Sequence, residues 1–147
     1  MQPSQDTHAA PASQDACRAT ISGLIPSQVV TMLTELFGDD LQQWRFIVDL
    51  FAETVEQDLA NLEKAIHGGV NGQIIEAAHR ITGSAHMLGH LSIGDAARAI
   101  ERTAQRVGPY NQRLPEMQSA FVHLRTVVDE FCRQASRCPW PDSAVAG

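Results

Sequence analysis

Between Val48 and Ile66 the apolar residues Val48, Phe51, Val55, Leu59, Leu62 and Ile66 recur at spacings of three and four. That is the period of an α-helix with one apolar face, and it differs from the alternation of a half-buried strand. A helix of this kind is stable in water only when other elements cover its stripe. The covering elements are legible too. Ile74, Ala78, Ile81, Ala85 and Leu88 form a second stripe, Ile93, Ala97, Ile100, Ala104 and Val107 a third, and Leu114, Met117, Phe121, Leu124, Val128 and Phe131 a fourth.

Breaks separate the stripes. His67-Gly68-Gly69 with Asn71-Gly72 ends the first, Leu88-Gly89 the second and Gly108-Pro109 the third, while Pro115 fits the first turn of the last helix. Ahead of them Pro26-Ser27 opens a short helix through Val29, Val30, Leu33 and Phe37, stopped at Gly38, and Asp39 or Asp40 caps the long helix that follows. Four long amphipathic helices joined by short loops predict an all-α fold. Specifically, they predict an antiparallel up-and-down four-helix bundle with a short additional N-terminal helix. Hydrophobic residues make up 44% of the chain but aromatics only 5%, so the core must be largely aliphatic.

The 147 residues suit one domain. Residues 1–22, rich in Gln, Ala, Ser, Pro and Asp, read as a flexible linker or leader; residues 23–137 read as the bundle and 138–147 as a C-terminal tail, with Trp140 placed to tuck against the bundle. The net charge of −6, without a Lys/Arg cluster, argues against nucleic acid as the main partner. Cys17, Cys132 and Cys138 form no Cys-x-x-Cys and no even framework, which fits a reducing cytoplasm. No apolar run approaches the roughly 20 residues of a membrane span. The N-terminus lacks the basic and apolar regions of a signal peptide. The expected location is cytoplasmic, either free or tethered as part of a membrane-bound sensor kinase.

The chemistry concentrates in His79-Arg80-Ile81-Thr82-Gly83-Ser84-Ala85-His86-Met87-Leu88-Gly89. His79 lies roughly 140° from the centre of its helix's apolar stripe, so its imidazole is displayed rather than buried. Gly83, one turn on, leaves room beside it where a better helix former would normally stand. Ile75, His79, Gly83 and His86 share one ridge, the expected docking surface. This stretch resembles the histidine-containing phosphotransfer (HPt) domains of two-component phosphorelays, whose signature is His-x-x-Lys-Gly with a second Gly ten residues after the His. His79, Gly83 and Gly89 fit, and Thr82 stands where the Lys is expected. The likeness extends from about Gly38-Asp39-Asp40 through Glu101, with Leu59 to Ile66 and Ala77-Ala78-His79 resembling the family's second and third helices.

The resemblance implies a monomeric relay. His79 would accept a phosphoryl group from a receiver-domain aspartate and pass it to another receiver's aspartate, with Mg²⁺ supplied by the receiver and no cofactor bound by this chain. It also implies a parent such as a bacterial hybrid sensor histidine kinase, of which this would be the C-terminal domain. Arg80 is the nearest basic substitute for the missing Lys, although it lies about 100° around the helix from His79.

Other functions fit less well. A bundle of HPt ancestry that docks a partner without phosphotransfer is the alternative, and Thr82 favours it. His86 and His90 have zinc-like spacing, but no Cys completes the set and Gly89 should end the helix before His90. The stripes carry no inward Glu or Glu-x-x-His set for a core metal site. A sensor kinase's dimerisation helix has an acidic residue after its His and a Pro soon after, whereas Arg80 follows here and the next proline is Pro109. With no Gly-rich nucleotide motif, the chain is expected to be no enzyme. Arg98, Arg102 and Arg106, with Asp95 and Glu101 close by, read as a solvated face. His8, His67 and His123 read as linker, helix end and surface.

Overall fold

A computed structural model describes residues 13–141, and these form six helices with no strand among the described residues. They are α1 (Gln14–Leu24), α2 (Ser27–Phe37), α3 (Leu41–Gly68), α4 (Asn71–Leu88), α5 (Leu91–Gln105) and α6 (Tyr110–Ser136). The all-α expectation holds. Helices α3 to α6 pack in a ring, each against the next, with α6 closing on α3, while α1 and α2 cover one end. Across the α4–α5 and α6–α3 seams the contacts run in opposite chain directions. Asp58 meets Arg80, His79 meets Glu101, Thr103 meets Glu116, and on the closing seam Glu56 meets Arg125 while Ile66 meets Tyr110.

The predicted stripes supply the core, with Val48, Val55, Leu59, Leu62, Ile74, Ile81, Ile93, Ile100, Met117, Leu124 and Val128 all at 0% exposure. Burying a side chain of this size contributes on the order of 1.5–3 kcal/mol, so the ring of aliphatic stripes is the main source of stability. Phe131 meets Phe51 edge-on at 5.8 Å between ring centroids. The helix ends are satisfied by specific groups. Asp40 Oδ1 accepts from the Gln43 N–H at 3.2 Å, as an N-cap should. At the start of α5 the imidazole of buried His90 accepts from the Ile93 N–H at 3.2 Å. At the other end of α5, Arg113 reaches in from α6 and donates to the carbonyls of Thr103 and Ala104, where a cation suits the helix C-terminus.

Several sequence expectations need correction. Residues 14–24 are not linker but α1, so a boundary between 22 and 23 would cut a helix. Ser13 caps it, Ile21 is fully buried, and Arg18 pairs with Asp39 at 2.7 Å and lies over the Trp44 ring. The rest of the expected leader, residues 1–12, lies outside the described residues, as do residues 142–147 of the expected tail. The described start of that tail packs: Cys138 is buried, and the Trp140 indole N–H donates to the Ala135 carbonyl at 3.0 Å. Burial pushes the Cys138 thiol up to about 11. Pro115 lies inside α6 rather than in its first turn, because Pro109 already holds the N-cap. Val107 is fully exposed, since α5 ends at Gln105.

A candidate phosphotransfer site on the fourth helix

The middle of α4 carries two polar edges. One faces α5 and the other faces α3. On the α5 edge, the His79 side chain is 72% exposed while Glu101, which it meets, is 15% exposed. The imidazole Nδ1 and the Glu101 carboxylate oxygen are 3.1 Å apart. An ionised carboxylate can only accept, so the proton in this bond sits on Nδ1 and the lone pair is left on Nε2. The ring is thereby oriented by a neighbour that is itself held against the bundle. Gly83 is exposed, and a Cβ built there meets nothing within 4 Å. The approach to His79 from that side is open, as the spacing predicted.

Two turns along, His86 is half-buried and rests on α5 at Gly94. A Cβ on Gly94 would stand 2.7 Å from the His86 ring, so this glycine makes the seat for the imidazole. His86 therefore belongs to the α4–α5 seam, with only part of it on the expected docking ridge. Ile75, one turn before His79, is half-buried and packs against the core, so it contributes an edge to the ridge.

On the α3 edge, Arg80 turns away from His79 and faces Asp58 at 3.8 Å. Asp58 is buried on the apolar side of α3, and this desolvation raises its carboxyl pKa, with the Arg80 charge opposing the rise. Together with Asn61, Lys64, Gln73 and Glu76 they line an open polar cleft of about 330 Å³. Thr82 is not at the surface either. It is 3% exposed and its hydroxyl donates to the Ala78 carbonyl at 3.1 Å, so it offers nothing to a group on His79. Gly89 ends α4 in the left-handed region at φ 88°, and a Cβ there would lie 2.7 Å from the Gln28 carbonyl oxygen of α2. Its smallness serves the helix end and the close approach of α2, not docking.

Residues 47–134 match the Hpt domain family. The chain belongs to that family. The Hpt match begins inside α3 and ends inside α6, so the four-helix ring lies almost wholly within it, while α1 and α2 precede it. Hpt domains are histidine-containing phosphotransfer modules of phosphorelays; they work with receiver domains and lack a kinase or ATP site. No curated relative and no solved structure matches the chain. No described helix of this Hpt domain is long and apolar enough to cross a membrane, and no described cluster of His, Cys, Asp and Glu could hold a metal ion.

Two residues of the site escaped the sequence reading. Glu101 is visible in the sequence as one charge on a solvated face, and Gly94 carries no signal there at all. An Asp or Glu on the neighbouring helix, at the level of an exposed His, is the signal that would have found Glu101. That level requires the register between α4 and α5, which the sequence pattern alone leaves free.

Proposed function

We propose that this Hpt domain is a phosphorelay intermediate that accepts a phosphoryl group on Nε2 of His79 from a receiver aspartate and passes it to the aspartate of a second receiver. The observation that carries this reading is the pairing of exposed His79 with Glu101 through Nδ1, which supports Nε2 as the nucleophile. In the forward step the Nε2 lone pair forms an N–P bond while the aspartyl O–P bond breaks. The electron pair leaves on the aspartate carboxylate, and the Nδ1 proton stays in its bond to Glu101. Transfer to the second receiver reverses the roles. Such a reaction needs in-line positioning and charge neutralisation more than covalent help from the protein.

Open Gly83 allows a receiver's active-site rim to come close. Beside it, Leu36, Leu50, Met87 and Leu88 line an apolar groove between α2, α3 and α4, with Met87 77% exposed. A receiver helix can cover that groove while its aspartyl phosphate reaches His79. Mg²⁺ belongs to the receiver in this reading, and the chain binds no cofactor, hydrolyses no ATP and acts as a monomer in the cytoplasm.

A second reading, a docking module without phosphotransfer, is favoured by buried Thr82 at the position of the family's Lys. One assay separates the two. The chain is incubated with a phosphorylated receiver and examined for acid-labile, base-stable label. Label is expected in the parent and absent from His79→Gln, whose helix content and melting temperature should stay close to the parent's because the side chain is exposed. Label retained in His79→Gln would displace the assignment to another residue, and no label in the parent would leave the docking module.

A further inference from the structure

The phosphoryl group on His79 would carry two negative charges, and the basic residue expected on α4 is missing. Arg80 is held at Asp58 on the far edge of the helix. Arg106 is paired with Glu116 at 2.5 Å. The facing helix offers another cation. His79 meets Glu101, and seven residues further along α4 His86 meets Gly94, seven residues earlier in α5, so the two helices keep one register between these contacts. In that register the residue of α5 opposite position 82 is Arg98.

Arg98 lies three residues before Glu101, about 60° around α5 from it and on the solvent side of the seam. It is exposed, and among the described residues it has no ion-pair or side-chain hydrogen-bond partner. Its axial offset from His79, about 4.5 Å, is within the span of an arginine side chain. Arg102 also has no ion-pair partner among the described residues, but it lies about 100° around α5 from Glu101, straight out of the bundle.

We infer that Arg98 supplies from α5 the positive charge that the family motif places at position 82, donating hydrogen bonds to the phosphoryl oxygens on His79. This rests on the proposed role of His79. Arg98 makes and breaks no covalent bond; it neutralises charge on the non-bridging oxygens during transfer. A planar guanidinium with several donors suits that task.

The test uses phosphoramidate, a donor that needs no protein partner, so docking and long-range steering do not enter. The imidazole forms an N–P bond as the donor's P–N bond breaks and ammonia leaves. Label is read residue by residue, with exposed His67 and His123 as internal controls. Arg98→Ala should slow labelling of His79 about tenfold and leave His67 and His123 unchanged. Arg98→Lys should recover most of the rate, and Arg80→Ala should match the parent. Parental labelling of His79 in Arg98→Ala overturns the inference, as does a slow variant that lysine does not rescue. If His79 labels normally in Arg98→Ala and the parent still accepts label from a phosphorylated receiver, only this inference fails. If the parent takes no label on His79 from either donor, the relay reading fails with it.

Discussion

Gly83 and Gly89 stand six residues apart on α4, and both belong to the signature by which the chain resembles its family. Around Gly83 there is empty space, and its backbone is ordinary helix. Gly89 has a positive φ and a neighbouring backbone pressed against it. One position keeps a partner's path clear, whereas the other lets the bundle close over its own helix end. A single sequence pattern therefore mixes a requirement of chemistry with a requirement of architecture, and substitutions should pull the two apart.

The largest effect is expected at the architectural end. Gly89→Ala must place a Cβ against the Gln28 carbonyl and hold a left-handed backbone, and it should cost about 2–4 kcal/mol in chemical denaturation. A loss below about 0.5 kcal/mol would show that α2 can retreat freely and that the comparison is wrong. Next comes Thr82→Lys. Because Thr82 is buried against Ala78, a lysine there must drive its ammonium out between α4 and α5. A loss of about 1–3 kcal/mol is expected. A variant as stable as the parent that also transfers faster would mean that the seam opens easily and that the motif lysine can be restored.

His90, next to Gly89, allows a smaller, pH-dependent test. Burial lowers its pKa, so the folded state binds fewer protons than the unfolded state below the ordinary histidine value of about 6.5. Stability should fall as pH drops from about 7 towards 5, through this residue's share. His90→Asn keeps an N-cap for α5 and removes the titration. It should start about 1 kcal/mol lower, having lost the packing on Phe131, and fall less between those two pH values. An unchanged slope would assign the pH dependence elsewhere. Asp58 acts in the opposite sense, since its raised pKa favours the folded state at low pH and that contribution is lost as pH rises through its folded value. The smallest stability change belongs to Gly83→Ala, a gain of up to about 1 kcal/mol in an exposed helix interior. Transfer from a receiver should nevertheless slow, and Gly83→Leu should be slower still. Parental rates in both would mean that the open path beside His79 has no function.

These residues also show what the sequence could convey. The four stripes were legible because each long helix buries one face over most of its length, so period identifies most of its core residues; Val107, past the end of α5, is the exception. Helix α1 was not, because among its residues only Ile21 is fully sequestered and one buried side chain makes no period. Within α4 the wheel placed His79 and Gly83 outward correctly. It set Arg80 about 100° from His79 as the nearest substitute cation, but azimuth within one helix says nothing about Asp58 waiting on the next. Glu101, Gly94 and Arg98 depend on how far α5 slides along α4, a quantity set by side-chain packing across the seam.

Helix α1 also has an optical consequence. The chain contains two tryptophans. Trp44 is fully buried, its indole N–H donates to the Gly38 carbonyl at 3.0 Å, and the Arg18 guanidinium of α1 lies 5.4 Å from its ring. If α1 lifts off, water and the loss of the nearby cation reach this one fluorophore first. In a Trp140→Phe background, the emission wavelength of Trp44 would thus become a private gauge of whether α1 is seated, readable in real time while a receiver binds.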